Sequence, residues 1–220
     1  MKAVVVYESL WGNTAAIARA IAEGLGEGAR ALSTAEAVGA ALADVALIVA
    51  GAPILGFRLP TEAMRQSVLT SERNAPTPPD LSHPSMRSWL DSLPNGQGRS
   101  AAFETRIWWS PGGATGLIAD KLGRAGYPPL TKARRFVVKG KYGPLRDGEL
   151  ERARRWGGRA GRGDGIAEGA RTRSCRRVEA CTRERRRYTG SHARELTASR
   201  AAEACRPSRL SGFRLNTLNC

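Results

Sequence analysis

The densest chemistry in the sequence lies at residues 5–14, VVYESLWGNT. An aliphatic run ends there, and Ser9, Gly12, Asn13 and Thr14 come just before a helical pattern. Ile17, Ala18, Ile21, Ala22 and Leu25 recur at the spacing of one helix face. That order predicts a strand, a tight loop and a helix. The first N–H groups of such a helix have no intrahelical acceptor and sit at the positive end of its dipole, so they form an anion site. Ser9, Asn13 and Thr14 can add donors, and Gly12 lets the backbone approach a ligand closely. The loop contains no Lys or Arg, so a phosphate there would be held by hydrogen bonds and the dipole. Neither G-x-x-x-x-G-K-[ST] nor G-x-G-x-x-G is present. The same residues also read as a ligand-free turn capped by Ser or Thr.

No nucleophile or general acid stands out elsewhere. His83 lies in a connection with four prolines between residues 74 and 84, and His192 lies near the C-terminus; both read as solvated. Cys175, Cys181, Cys205 and Cys220 lack C-x-x-C spacing and a nearby His pair, which argues against zinc. No apolar stretch approaches the roughly 18 residues of a membrane span. The N-terminus has no signal-peptide pattern, so a cytoplasmic location is expected.

The elements that would position the loop follow an alternating order. Strands are predicted at 2–7, weakly at 29–32, and at 45–50, 100–107 and 135–139. Helices are predicted from residue 14 to about 25, then at 61–71, 84–93, 116–125 and 147–156. Ser33 and Glu36 have capping-box spacing, which predicts a short helix to about residue 42. Asp147 is placed to cap the last helix. The 45–50 run, VALIVA, is apolar at every position, as a strand buried on both faces requires. Strands alternating with helices imply a parallel α/β sheet.

Composition divides the 220 residues in two. The net charge is +15, of which residues 157–220 carry +9, all of their basic residues being Arg. Large apolar residues there are sparse and without period, so that segment cannot offset its ordering entropy. A folded domain over 1–160 and a disordered, Arg-rich tail over 161–220 are expected. Arg without Lys, scattered Cys and no period also fit a frameshift or read-through product.

The segment from Val5 to Ile21 resembles the flavodoxin N-terminal signature. Val5, Val6, Tyr7, Ser9, Gly12, Thr14, Ala18 and Ile21 match it at the family's spacing. Residues 45–53, 101–106 and 136–156 resemble the family's later strands and final helix, so the similarity spans roughly residues 1–160. The resemblance implies a doubly wound, five-stranded parallel sheet of order 2-1-3-4-5. FMN would lie at the carboxyl ends of the strands, near the switch point. Ser9, Trp11, Gly12, Asn13 and Thr14 would hold the FMN phosphate. Ala52, Pro53 and Phe57 would border one side of the isoalloxazine, and Thr105, Arg106, Trp108, Gly112 and Gly113 the other. Phe57 or Trp108 could stack on the ring. Trp11 replaces a hydroxyl found in many members, which implies a lost phosphate donor. Arg58 and Arg106 would place positive charge beside the flavin and raise its potential.

The functional expectation is electron transfer through FMN, with a redox partner protein of acidic character. A flavodoxin-fold quinone or NAD(P)H reductase is the alternative, with Trp108 and Trp109 as a substrate platform. A reading of another class is nonspecific nucleic-acid binding by Arg171, Arg173, Arg176, Arg177, Arg183 and the run at 185–187.

Overall fold

The computed structural model describes residues 2–71 and 75–162. The expectations for the Arg-rich tail beyond Arg162, including nucleic-acid binding and a read-through origin, lie outside the described residues. Five strands form one sheet: β1 (Ala3–Tyr7), β2 (Ala29–Ser33), β3 (Leu47–Pro53), β4 (Arg99–Ile107) and β5 (Arg134–Val138). Their order is β2-β1-β3-β4-β5, and every pair is parallel. The helices are α1 (Asn13–Leu25), α2 (Glu62–Ser71), α3 (Met86–Asp91), α4 (Thr115–Arg124) and α5 (Glu149–Gly161). The weak second strand is real and pairs with β1 from Ala3↔Ala29 to Tyr7↔Ser33.

Alternation along the strands divides the core between the two sheet faces. Val4, Val6, Ile48, Ala50 and Ala102 pack with Trp89 of α3 and Ile118 and Leu122 of α4. Val5, Leu47, Val49, Phe103 and Phe136 pack with Ile17 and Ile21 of α1 and Trp156 of α5. β3 runs further than expected because Gly51, Ala52 and Pro53 pair with Phe103, Glu104 and Thr105. That extension carries Pro53 to the carboxyl edge of the sheet.

Two local expectations fail. Ser33 and Glu36 do make the capping-box bonds: Ser33 N–H and Oγ reach Glu36 Oε2 at 2.7 and 2.8 Å. The helix does not propagate, because the chain turns at Gly39 (φ +51°) and leaves only a 3-10 turn at Gly39–Ala41. One capped turn without a continuing apolar stripe does not overcome the cost of helix nucleation. Nor does Asp147 cap α5. Gly148 occupies that position, and the Asp147 carboxylate pairs with Lys139 at 3.0 Å instead.

Helices α1 and α5 approach closely through glycine. A Cβ on Gly157 would lie 2.3 Å from the Ile21 carbonyl oxygen, whereas one on Gly116, in α4, would meet nothing within 4 Å. Gly157→Ala should therefore lose about 1–3 kcal/mol through forced separation of the helices. Gly116→Ala should gain up to about 1 kcal/mol from helix propensity. Urea denaturation of both variants reads the opposite signs directly.

Candidate functional site

The loop joining β1 to α1 ends at Gly12, whose φ of +80° puts it in the left-handed region at the helix N-cap. No side chain caps the helix, and no acidic residue lies in its first turn. The first intrahelical bond runs from Ala16 N–H to Gly12 O at 2.9 Å. The N–H groups of Asn13, Thr14 and Ala15 therefore have no acceptor within the helix, and the dipole's positive end faces the loop. Two side-chain groups at this end are buried without a protein partner: Ser9 Oγ and Trp11 Nε1.

A cleft of about 80 Å³ opens in front of them. Ser9, Trp11, Asn13 and Thr14 form one wall, and Pro53, Thr105 and Arg106 approach from the ends of β3 and β4. Thr14 Oγ1 and Thr105 Oγ1 lie 2.7 Å apart, so each spends part of its hydrogen-bonding capacity on the other. The Asn13 amide donates to Tyr142 O at 2.9 Å, which ties the β1–α1 loop to the β5–α5 connection. The Trp11 and Tyr142 rings meet edge to face, with centroids 5.1 Å apart.

The remaining expected residues lie elsewhere. Ala52 is fully buried in the sheet core and does not line the cleft. Phe57, half exposed, and Trp108, 73% exposed, also stand outside its lining. The Gly112–Gly113 turn is bound to the loop after β3: Gly113 N–H donates to Phe57 O at 3.0 Å. Gly112 has φ +71°, and a Cβ there would lie 2.0 Å from Phe57 O. The loops after β3 and β4 are thus fastened to each other. Leu10, Ile54, Leu55, Ile107, Val138 and Lys141 complete the lining and were not anticipated. The apolar ones have no chemical signature. Lys141 is remote in sequence, and its ammonium lies 5.9 Å from the centre of the Tyr142 ring.

The Pro-rich connection supports the loop from beneath. Asp80 N–H donates to Leu10 O at 2.8 Å, and His83 Nε2 lies 3.3 Å from Ser9 O. His83 is buried, contrary to the solvated role expected of it, because it fills the space between this connection and the loop. Beside it Glu8, fully buried, accepts from Met86 N–H at 2.7 Å. Glu8 Oε1 also lies 3.1 Å from Arg65 Nε, but the angle is wrong for a hydrogen bond, so the contact is an ion pair only. Arg65 further donates to His83 O at 2.6 Å and to Glu62 at 2.9 Å. Burial pushes the Glu8 carboxyl above its ordinary value, against the Met86 N–H and the Arg65 charge.

On the other flank Glu104, also fully buried, accepts from Ala114 and Thr115 N–H at 2.7 and 3.1 Å, at the start of α4. Its other oxygen meets Arg106 at 3.0 Å and Arg135 at 3.3 Å. Arg106 also donates to Gly112 O at 3.1 Å. Arg106 lines the cleft with its guanidinium paired to a carboxylate that Arg135 shares. Arg58 is exposed, and its backbone bonds reciprocally with Leu55.

No family model matches the chain, and no curated protein matches its sequence. The fold does match solved structures. A flavodoxin from the domain Archaea is 23% identical, with a TM-score of 0.50 over 74% of this chain and 97% of that one. Oxidised flavodoxin 1 from Bacillus cereus is 17% identical, with a TM-score of 0.51 over 73% and 97%. The described residues thus have the flavodoxin-like fold, with the expected strand order. At these identities the likeness establishes the fold.

The Asp80 carboxyl lies below its ordinary value, held there first by the Ser82 hydroxyl and then by the Ser82 N–H. A lowered carboxyl stabilises the fold above its unfolded pKa of about 4, and that contribution is lost as pH falls through the folded value. Glu8 has the opposite sign: its raised carboxyl favours the fold at low pH, and the benefit fades as pH rises through its folded value. Asp80→Asn should flatten the loss of stability as pH falls below about 4. Urea denaturation at constant ionic strength measures it.

Proposed function

We propose that the chain is a cytoplasmic FMN-binding redox protein that carries electrons to or from a protein partner. The observation that carries this reading is the pair of buried, unpartnered donors, Ser9 Oγ and Trp11 Nε1, at the uncapped N-terminus of α1. The cleft that Ser9 and Trp11 line is also bounded by the apolar side chains of Pro53, Ile54, Leu55 and Ile107, with Thr105, Arg106 and Lys141 beside them. An anion joined to a flat apolar ring is the chemical complement of that arrangement. The cleft also lies at the carboxyl edge where the chain reverses between β1 and β3, the usual ligand position in such sheets. The likeness to flavodoxins supports FMN over other ligands of this shape.

FMN, when bound, supplies one- and two-electron chemistry. The chain's part is binding and electrostatics. Ser9, Trp11 and the α1 N–H groups hold the phosphate, with Gly12 allowing close approach and Asn13 and Thr14 fixing the loop. The apolar ends of β3 and β4 exclude water from the ring. Glu104 holds Arg106 at the cleft wall, its single negative charge shared between Arg106 and Arg135. Phe57, Trp108 and Trp109 are exposed around this edge, with Arg58 on the same loop as Phe57. This aromatic, basic rim suits an acidic redox partner. Among the described residues no helix is long and apolar enough to cross a membrane.

Reductase activity is the second reading, favoured by the exposure of Trp108 and Trp109, which form a ready platform for a quinone or nicotinamide ring. The purified protein incubated with FMN and desalted should keep flavin visible absorption at about one FMN per chain. A colourless protein contradicts the proposal. Steady oxidation of NAD(P)H by the holoprotein with quinone identifies a reductase; its absence identifies a carrier.

A further inference from the structure

The positive charge of the chain lies at one end of the sequence and, in the fold, at one edge of the sheet. Residues 1–130 carry 11 basic and 11 acidic side chains and are neutral as a whole. The net +15 therefore belongs to residues 131–220, and the described stretch 131–162 has 11 basic residues against 3 acidic. That stretch contains β5, the last strand of the sheet, and α5. All 11 of its cations are exposed. Arg152, Arg155, Arg159 and Arg162 recur at i, i+3, i+7 and i+10, which makes one stripe about 15 Å long on α5 and its C-cap. Arg152 turns the stripe toward β5: it lies over the Phe136 ring, 5.0 Å from the centre, and donates to the Arg135 carbonyl. Glu149 meets Val137 and Arg152 meets Arg135, so α5 runs back along β5. That direction carries Arg155 and Arg159 toward the end where Lys132 and Arg134 stand.

Carboxylates meet only part of this charge. Glu149 pairs with Arg152 at 2.7 Å, Asp147 with Lys139 at 3.0 Å, and Glu23 of α1 with Arg154 at 2.6 Å. Among the described residues no ion pair holds Lys132, Arg134, Arg146, Arg155 or Arg159. The backbone of this edge is closed to a further strand. Val137 N–H donates to Glu149, Val137 O accepts from Arg146 N–H, and Arg135 O is taken by Arg152. The surface also lacks the apolar centre of a protein interface. Of the large apolar side chains exposed among the described residues, only Leu150 lies in this stretch. Its aromatic residues, Phe136, Tyr142 and Trp156, are buried or half-buried, so the bases of a single strand find no ring to stack on. A duplex presents about one phosphate charge per 1.7 Å of its axis and asks for neither feature.

We propose that the β5–α5 edge is a docking surface for the phosphodiester backbone of a nucleic-acid duplex, held by charge and without reading sequence. The arginine stripe of α5 lies along the backbone, and Lys132, Arg134 and Arg146 widen the contact on the strand side. Residues 171–187 are no part of this surface, and the proposal needs no flavin.

The test uses the full chain and labelled DNA and RNA duplexes of mixed sequence, with anisotropy read across a salt series. The triple variant Arg134→Gln, Arg155→Gln, Arg159→Gln removes three cations of the edge. A control, Arg19→Gln, Arg30→Gln, Arg124→Gln, removes three exposed cations from the neutral part, so both variants lose the same net charge. The edge variant should bind the duplex at least about tenfold more weakly near 0.1 M salt. Its slope of log affinity against log salt should become shallower by about 1 per residue removed. The control should stay within about twofold of the wild type, far from the loss expected of three phosphate contacts. Whichever duplex binds more tightly identifies the source of the backbone. Equal losses in the two variants would reduce the effect to net charge and overturn the proposal, as would an edge variant that binds like the wild type. Tighter binding to polyglutamate or to phosphatidylserine vesicles than to either duplex would give the surface to an acidic protein or a membrane, and overturn it too.

Discussion

Two carboxylates buried at the carboxyl edge of the sheet, Glu8 and Glu104, set the geometry on which the site depends. Each accepts backbone N–H groups at the start of a helix and each meets an arginine: Glu8 with Met86 and Arg65, Glu104 with Ala114, Thr115 and Arg106. A buried carboxylate is costly unless its oxygens are occupied and its charge is met. Here that requirement fixes how α3 and α4 sit against β1 and β4, and so where the adjoining loops run. Glu104 is engaged through both oxygens and Glu8 through one, with its Oε1 only ion-paired to Arg65, and no side chain caps the α1 N-terminus. The first residues of that helix line the cleft.

The loop itself is held from both sides. Beneath it, the Pro-rich connection contributes Asp80 N–H and His83; above it, the β5–α5 connection contributes the Tyr142 carbonyl and ring. These contacts engage carbonyls, the Asn13 amide and a ring face of the loop, and leave Ser9 Oγ and Trp11 Nε1 without a protein partner. Such preorganisation keeps the donors aimed before a ligand arrives, which lowers the ordering cost of binding.

The strand–loop–helix unit and the alternation of strands with helices were legible in the sequence, because uninterrupted apolar runs and a 3.6-residue period are local signals; the strand order came only from the flavodoxin resemblance. The 3-10 turn after β2 was not, since a capping box states where a helix can start and nothing about whether packing will extend it. The roles of His83 and Arg106 were also hidden. Each depends on a partner distant in the chain or on burial that only the assembled layers create. The positive composition misled in the same way. Arg65 and Arg106 are internal counterions of Glu8 and Glu104, so part of the core's arginine content serves packing rather than a surface field. Lys141 and the indole of Trp11 show the reverse case: residues without a motif signature that the topology brings to the cleft.

The central claim is that the protein's own N–H and O–H donors and the α1 dipole hold a phosphate as its dianion. The 31P resonance of FMN mixed with the protein, followed from about pH 5 to 8, measures that state directly, because a free phosphate monoester loses its second proton near pH 6. The expected result is a shifted signal that does not titrate across this range, the dianion being held against protonation. A signal that titrates near pH 6, as free FMN does, would contradict the arrangement.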